Sequence, residues 1–169
     1  KPLLTDSRLA GVAFTGSTAA AREINQTLAQ RPGPIVPPIA ETGGQNVRIV
    51  DSSALPEQMV SDALYSAFNS AGQRCSALRV RFVQEDIAPR IFELIEGAMA
   101  ELLVDDPAQL STDVGPVIDA AAKQKLNAHI EQMKQQARLV AQATLIQTAQ
   151  SKTPSTNNGD YVMPTIFEI

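Results

Sequence analysis

Hydrophobic positions near the start of the chain fall into two short runs that flank a stretch with helical character. Gly11–Phe14 is a short apolar run typical of a buried strand, and Ala19–Leu28 is rich in residues that favour a helix. Ser17 or Thr18 can cap that helix through a side-chain oxygen. Residues 35–42 are apolar again but contain two prolines, which predicts an extended segment at a sheet edge. Strand, tight turn and helix in this order form half of a β-α-β unit.

The middle of the chain continues the alternation between strand-like and helix-like segments. The predicted elements are a strand over Asn46–Val50, a helix over Pro56–Ser70, a strand over Ala77–Val83 and a helix over Ile87–Leu103. Pro56 suits the first turn of its helix, and Gly72 is predicted to cap the other end.

The last part of the chain adds one long helix and two extended segments. Asp119 can cap a helix that runs to Ala137, with Leu126, Ile130 and Met133 as its buried face. The elements predicted after it are a strand over Leu139–Ile146, a polar loop over Ser151–Asp160 and an extended segment over Tyr161–Ile169. The complete order, β-α-β-β-α-β-α-α-β, is typical of the α/β class.

Composition and charge narrow the class of protein. The 169 residues are 44% hydrophobic and 19% charged, which is a globular profile. The formal net charge is −4 with no cluster of Lys and Arg, so we expect no nucleic-acid partner. No apolar run approaches the roughly 20 residues that span a bilayer. Both ends fall close to or within apolar, strand-like segments, which favours a piece cut from a longer protein.

The only cysteine, Cys75, has two interpretations. A single thiol excludes an internal disulfide and a multi-cysteine zinc site. Cys75 is therefore either a buried structural thiol or a catalytic thiolate. It follows small residues just past a predicted helix, and Arg74 would favour the thiolate if its side chain turned that way. Taken alone, this segment leaves the two interpretations about equal.

Two further segments could carry chemistry. Glu41 follows apolar Ile39 and Ala40 and precedes two glycines; burial there would make its carboxylate a usable general base. In isolation, a Glu in a surface turn is the simpler explanation. Gly16-Ser17 lies where a strand enters a helix, so it offers backbone N–H groups to a phosphate. Without a full dinucleotide fingerprint, an ordinary turn capped by Ser17 is the favoured explanation for this segment taken alone.

Taken together, the three segments resemble the aldehyde dehydrogenase superfamily. The Gly-Ser turn, the Glu41-Thr42-Gly43-Gly44 segment and Gly72-Gln73-Arg74-Cys75 occur in that family's order, with Glu41 and Cys75 separated by 34 positions (75 − 41). The resemblance covers essentially the whole chain. It implies a nucleophilic Cys75, a general base in Glu41, and a cofactor site that includes Gly16, Ser17, Thr42 and Gly43.

The flanks of Cys75 are similar to one branch of that superfamily, the L-glutamate γ-semialdehyde (1-pyrroline-5-carboxylate) dehydrogenases of bacterial bifunctional proline utilisation proteins. In that branch, the residue at Ser76 helps to hold the substrate. The resemblance implies oxidation of a small-molecule aldehyde to L-glutamate with NAD, with NADP as the alternative. It also implies a proline dehydrogenase domain in the same parent chain, a homo-oligomeric parent, and a cytoplasmic location with membrane association through the proline dehydrogenase part.

The resemblance makes predictions about domains and completeness. Residues 1–50 would be the end of a Rossmann-like NAD-binding domain, and residues 51–169 much of the α/β catalytic domain. Other groups that the family uses to bind NAD and the oxyanion would lie outside this chain, so we expect the isolated chain to have little activity. The alternatives are a dehydrogenase for another semialdehyde and a non-catalytic folding module.

Overall fold

A computed structural model of the protein describes residues 2–144 and 159–169. The chain forms two compact units, residues 1–45 and residues 46–169. The loop predicted over Ser151–Asp160 falls mainly outside the described residues, as does the end of the strand predicted over Leu139–Ile146. No helix in the described part of the chain is long and apolar enough to cross a membrane.

The first unit is a small β-α-β arrangement. After a 3₁₀ turn at Pro2–Thr5, its elements are β1 (Val12–Gly16), α1 (Thr18–Ala29) and β2 (Pro38–Thr42). The two strands are parallel neighbours, as a helical crossover requires. Ser17 is the N-cap of α1, and its hydroxyl oxygen accepts a hydrogen bond from the Ala20 N–H at 3.2 Å. The strand, the cap and the helix predicted here are confirmed, but no residue of β1 is buried, so the predicted burial of this strand is wrong for this chain.

The described residues of the second unit form three α-helices and two separate pairs of strands. Its elements are β3 (Asn46–Val50), α2 (Pro56–Phe68), β4 (Leu78–Val83), α3 (Ala88–Ala100), α4 (Ala120–Gln136), β5 (Arg138–Gln142) and β6 (Thr165–Glu168). β3 and β4 are parallel and are connected through α2, whereas β5 and β6 are antiparallel. The structure therefore confirms the predicted α/β class. The assignment of residues 1–50 and 51–169 to two functional domains stays a prediction.

The apolar core of the second unit lies where α2 and α3 pack together. Both helices bury residues at helical spacing, and the core residues they contribute are Met59, Val60, Ala63 and Leu64 from α2, and Ile91, Ile95 and Met99 from α3. Ala63 and Ile91 have no exposed surface. Burying a side chain of the size of Ile91 contributes about 1.5–3 kcal/mol. The end of α2 that leads to Cys75 is thus attached to the best-packed part of the unit.

The predicted burial of one face of α4 is wrong. The helix beginning after Asp119 forms as expected, and the Asp119 carboxylate accepts from the Ala122 N–H at 2.7 Å. However, α4 has no buried residue, and Leu126, predicted to be buried, is 39% exposed. The apolar residues of α4 do lie at helical spacing, but the described part of the chain does not pack over that face of the helix.

Candidate active site

Cys75 lies in a short turn between α2 and β4. α2 ends at Phe68, and a 3₁₀ turn over Asn69–Gly72 follows before the strand begins. The thiol is exposed. The structure therefore does not support a buried structural cysteine, one of the two interpretations that the sequence left open.

The backbone before Cys75 follows an uncommon path. Ser70, Ala71 and Gly72 all have positive φ angles, of 57°, 52° and 67°. A Cβ atom on Gly72 would lie 2.7 Å from the carbonyl oxygen of Ala67, so only glycine fits there. The sequence predicted Gly72 as the helix cap, which is wrong: Asn69 is the C-cap, and Gly72 serves the turn that follows.

The side chain of Asn46 holds the turn from the side of β3. Its Nδ2 donates to the carbonyl oxygen of Cys75 at 2.6 Å and to that of Ala77 at 2.8 Å. Ala77 is completely buried and its N–H donates to the Arg74 carbonyl oxygen at 3.2 Å. Sequence reasoning missed this role of Asn46, because its two acceptors lie 29 and 31 residues further along the chain.

Gln73 and Arg79 hold the turn from other directions. The Gln73 side chain donates to the Ser70 carbonyl oxygen at 3.1 Å and accepts from the Ile118 N–H at 2.8 Å. Arg79 on β4 donates to the carbonyl oxygen of Gly72 at 2.6 Å. The residues on either side of Cys75 are thus connected to β3, β4 and the loop that precedes α4.

Arg74 does not turn toward the thiol. Its Nη2 donates to the carbonyl oxygens of Tyr65 and Ser66, both at 3.3 Å, and its guanidinium lies 5.8 Å from the centre of the Tyr65 ring. The cation therefore satisfies carbonyl groups at the C-terminal end of α2, where the helix dipole favours positive charge. The suggested activation of Cys75 by Arg74 is not seen.

Two arginines connect the strands of this unit to α2. Arg48 on β3 is the register partner of Arg81 on β4. Arg48 donates to the carbonyl oxygen of Met59 at 3.5 Å, and Arg81 contacts the Met59 sulfur at 3.2 Å. Burial, with the neighbouring charge of Arg48 as a second cause, lowers the pKa of Arg81. Both cations contact Met59 of α2, and the lowered pKa of Arg81 means that its buried position next to Arg48 disfavours the charged form.

Glu41 lies on β2 in the first unit, opposite Thr15 of β1. Its side chain is exposed, and the neighbouring Ile39 is 65% exposed. The predicted burial of Glu41 is therefore wrong for this chain. β2 has one strand neighbour, and the described residues do not cover its apolar side chains. The pairing of Glu41 with Cys75 of the second unit stays a prediction.

The four residues predicted to bind a cofactor meet at one edge of the first unit. Gly16 ends β1 and is the register partner of Thr42, which ends β2. Ser17 follows Gly16 and caps α1, and Gly43 follows Thr42. The carboxyl ends of parallel strands, next to a helix N-terminus, are where α/β proteins bind nucleotides.

A mainly apolar groove of about 320 Å³ lies beside this edge. The residues that line it include Phe14 and Thr42 from the two strands and Ala21, Arg22 and Asn25 from α1. It combines apolar walls with one cation and one amide.

Comparisons with known proteins identify the family and the fold of the chain. The family model for the aldehyde dehydrogenase family matches residues 1–169, and the chain belongs to that family. Its fold is part of an aldehyde dehydrogenase fold. Among individual relatives, it is 48% identical over 170 residues to the bifunctional protein PutA of Salmonella typhimurium. The predicted family and fold are confirmed.

Two solved structures are similar along nearly the whole chain. A mutant of Bradyrhizobium japonicum proline utilization A matches 98% of it at 52% identity, with a TM-score of 0.86. The 1-pyrroline-5-carboxylate dehydrogenase from Thermus, solved with bound NAD, matches 98% at 26% identity, with a TM-score of 0.82. The chain spans 16% and 31% of those two proteins, and 13% of the Salmonella relative.

Proposed function

We propose that this chain is the thiol-bearing part of an enzyme that oxidises L-glutamate γ-semialdehyde to L-glutamate with NAD. The observation that carries the proposal is the exposed Cys75 in a turn held by Asn46, in a member of the aldehyde dehydrogenase family. A structural cysteine needs no such exposure. A nucleophile needs both access and a fixed direction.

Cys75 would act as the nucleophile. Its thiolate adds to the aldehyde carbon to form a thiohemiacetal, whose oxyanion is stabilised partly by the Cys75 backbone N–H. Loss of hydride from that carbon leaves a thioester on the sulfur. Glu41 then removes a proton from a water molecule that attacks the thioester, which releases the carboxylic acid and restores the thiol.

NAD supplies the hydride acceptor when it is bound. The helix N-terminus at Gly16 and Ser17 suits the pyrophosphate, because backbone N–H groups and the helix dipole favour an anion there. Thr42 and Gly43 extend the same edge, and the adjoining groove suits the flat rings of a nucleotide. NADP is the alternative, and comparing the two cofactors at equal concentration decides between them.

Ser76 is the residue that we propose for holding the amino-acid end of the substrate. It is exposed directly after Cys75, and its hydroxyl can accept from an ammonium group or donate to a carboxylate. The names of the relatives support the same substrate, since one is a 1-pyrroline-5-carboxylate dehydrogenase and another a proline utilization protein. The parent would then also carry a proline dehydrogenase domain and assemble as a homo-oligomer.

The test is a steady-state assay of the full-length protein that carries this segment. We expect NAD-dependent oxidation of pyrroline-5-carboxylate, and loss of that activity in Cys75→Ala. Other semialdehydes tested in parallel should have a lower kcat/KM; a higher value for one of them would reassign the substrate. The isolated 169-residue chain should have little or no activity, because it covers only 13% of its PutA relative.

A further inference from the structure

We propose that Asn46 is a positioning residue for Cys75, and that it holds the peptide group next to the nucleophile through two side-chain hydrogen bonds. The inference rests on the proposed function, because a fixed turn matters for activity only if Cys75 attacks a substrate. Asn46 itself contacts backbone carbonyl groups and not the thiol. It would therefore act through the geometry of the turn.

The two contacts of Asn46 hold the turn on both sides of Ser76. An amide nitrogen has two N–H donors, and here they serve the carbonyl oxygens of Cys75 and Ala77 at 2.6 and 2.8 Å. Ala77 has no exposed surface, so the second contact ties the turn to a fixed point. The first contact holds the exposed half of the turn, which carries the thiol.

The strand pairing explains why a side chain is needed at this point. Asn46 is the first residue of β3 and pairs with Leu78, the first residue of β4. The register then shifts between Asn46 and Val47, so the regular ladder is interrupted at the entry to β4. The carbonyl groups of Cys75 and Ala77 lie before the regular strand pairing begins, and they accept hydrogen bonds from the Asn46 side-chain amide.

Fixing the Cys75 carbonyl group has a consequence for the active site. In a planar trans peptide, the C=O of Cys75 and the N–H of Ser76 point in opposite directions. Asn46 therefore also sets the direction of the Ser76 N–H and the position of the Cys75 Cα atom. A small displacement of a reacting group costs about 100-fold in rate, which is the size of effect expected here.

The decisive variant is Asn46→Asp, measured in the full-length protein. Aspartate has the same shape but carries oxygen where asparagine carries its donor, so neither carbonyl group receives a hydrogen bond above the pKa of the new side chain. Asn46→Ser serves as a second, uncharged variant that keeps one shorter donor. The matched control is Asn127→Asp, the same chemical change at an exposed position on α4.

Three measurements distinguish a positioning role of Asn46 from a role in stability alone. For Asn46→Asp we expect kcat for pyrroline-5-carboxylate to fall about 100-fold and KM to rise by at most about tenfold, because Ser76 lies in the same turn. Amide hydrogen exchange in residues 73–77 should become about tenfold faster than in the wild type, a larger increase than in the rest of the second unit. The ratio of variant to wild-type kcat should rise at low pH, because a protonated Asp side chain regains one donor. Asn127→Asp should change none of these.

The opposite results would overturn the proposal. These are a kcat within about twofold of wild type, unchanged exchange in the turn, or a ratio of kcat values that does not depend on pH. If Asn46→Asp does not fold, Asn46→Ser decides, with a kcat reduced about tenfold expected and wild-type kcat contradicting it. If the wild-type protein oxidises no semialdehyde, the proposed function fails separately; the Asn46 contacts are then judged by hydrogen exchange alone, where no acceleration refutes them.

Discussion

The side-chain carbonyl oxygen of Gln73 accepts a hydrogen bond from the backbone N–H of Ile118 at 2.8 Å, across 45 residues of sequence. The same side chain donates to the carbonyl oxygen of Ser70 at 3.1 Å. Gln73 thus joins the turn that carries Cys75 to the loop before α4. This link makes the orientation of the turn depend on a segment that contributes no proposed catalytic group.

The two contacts of Gln73 can be separated by substitution. Gln73→Glu keeps an acceptor for the Ile118 N–H but loses the donor to Ser70, whereas Gln73→Ala loses both. We expect Gln73→Ala to lower the free energy of unfolding by about 0.5–1.5 kcal/mol, and Gln73→Glu by less. Chemical denaturation measures both values. A larger loss for Gln73→Glu than for Gln73→Ala would show that the contact with Ile118 contributes little.

Gly72→Ala should be strongly destabilising. The substitution places a Cβ atom 2.7 Å from the backbone oxygen of Ala67, at a residue with a φ of 67°. The backbone must shift, so we expect a loss of about 1–3 kcal/mol in unfolding free energy and slower turnover. Gly97→Ala on α3 is the control. It meets no atom within 4 Å in a helix, so it should stabilise by about 0.5–1 kcal/mol. Equal effects at the two sites would contradict the strained turn.

Cys75 and Ser76 should differ in how their loss affects kinetics. Cys75→Ser should lower kcat by at least about 1000-fold, because a hydroxyl is a far weaker nucleophile than a thiolate.

Ser76→Ala should raise KM for pyrroline-5-carboxylate by about tenfold with little change in kcat, because it removes a contact made equally in ground and transition states. Ser61→Ala, at an exposed position on α2, is the control. An unchanged KM for Ser76→Ala would remove Ser76 from the substrate site.

Local sequence patterns were sufficient to predict most of the elements around the site. β3 forms over Asn46–Val50 and α4 follows its Asp119 cap, because alternation and capping are decided by neighbouring residues. The end of α2 was harder to predict. Three consecutive residues there adopt positive φ, and two of them are Ser70 and Ala71, which carry side chains that disfavour that conformation. Tertiary contacts, such as the one from Arg79 to Gly72, support this turn and leave no local signal.

The chemistry of the site was only partly predictable for the same reason. Resemblance to a family drew attention to Cys75, whose exposure agrees with a nucleophile. Arg74 is adjacent to Cys75 in the sequence, but its side chain binds the carbonyl groups of Tyr65 and Ser66 at the end of α2. Adjacency in the sequence therefore suggested the wrong contact for Arg74. Burial of Glu41 was expected from its apolar neighbours, and burial of Leu126 from the helical spacing of apolar residues on α4. Burial requires a second layer of structure that packs on the apolar face, and a sequence pattern does not show whether the same chain supplies that layer.

Glu41 provides the sharpest test of the proposed reaction, because it would act only after the hydride has left. In Glu41→Gln the side chain keeps its shape but no longer accepts a proton, so the thioester on Cys75 should form and then persist. We expect a burst of about one NADH per active site, followed by a steady-state rate reduced about 10²- to 10⁴-fold. Mass spectrometry of the quenched enzyme should find the acyl group on the peptide that contains Cys75.

The control for this experiment is Glu85→Gln, which removes an exposed carboxylate from the loop between β4 and α3. It should show the wild-type steady-state rate and no accumulated thioester. If Glu41→Gln slows the burst as much as the steady state, Glu41 acts before the thioester forms, for example by removing the proton from Cys75. If both rates equal those of the wild type, another group activates the water. Glu41 would then be only an exposed residue of β2, as the structure of the first unit shows it.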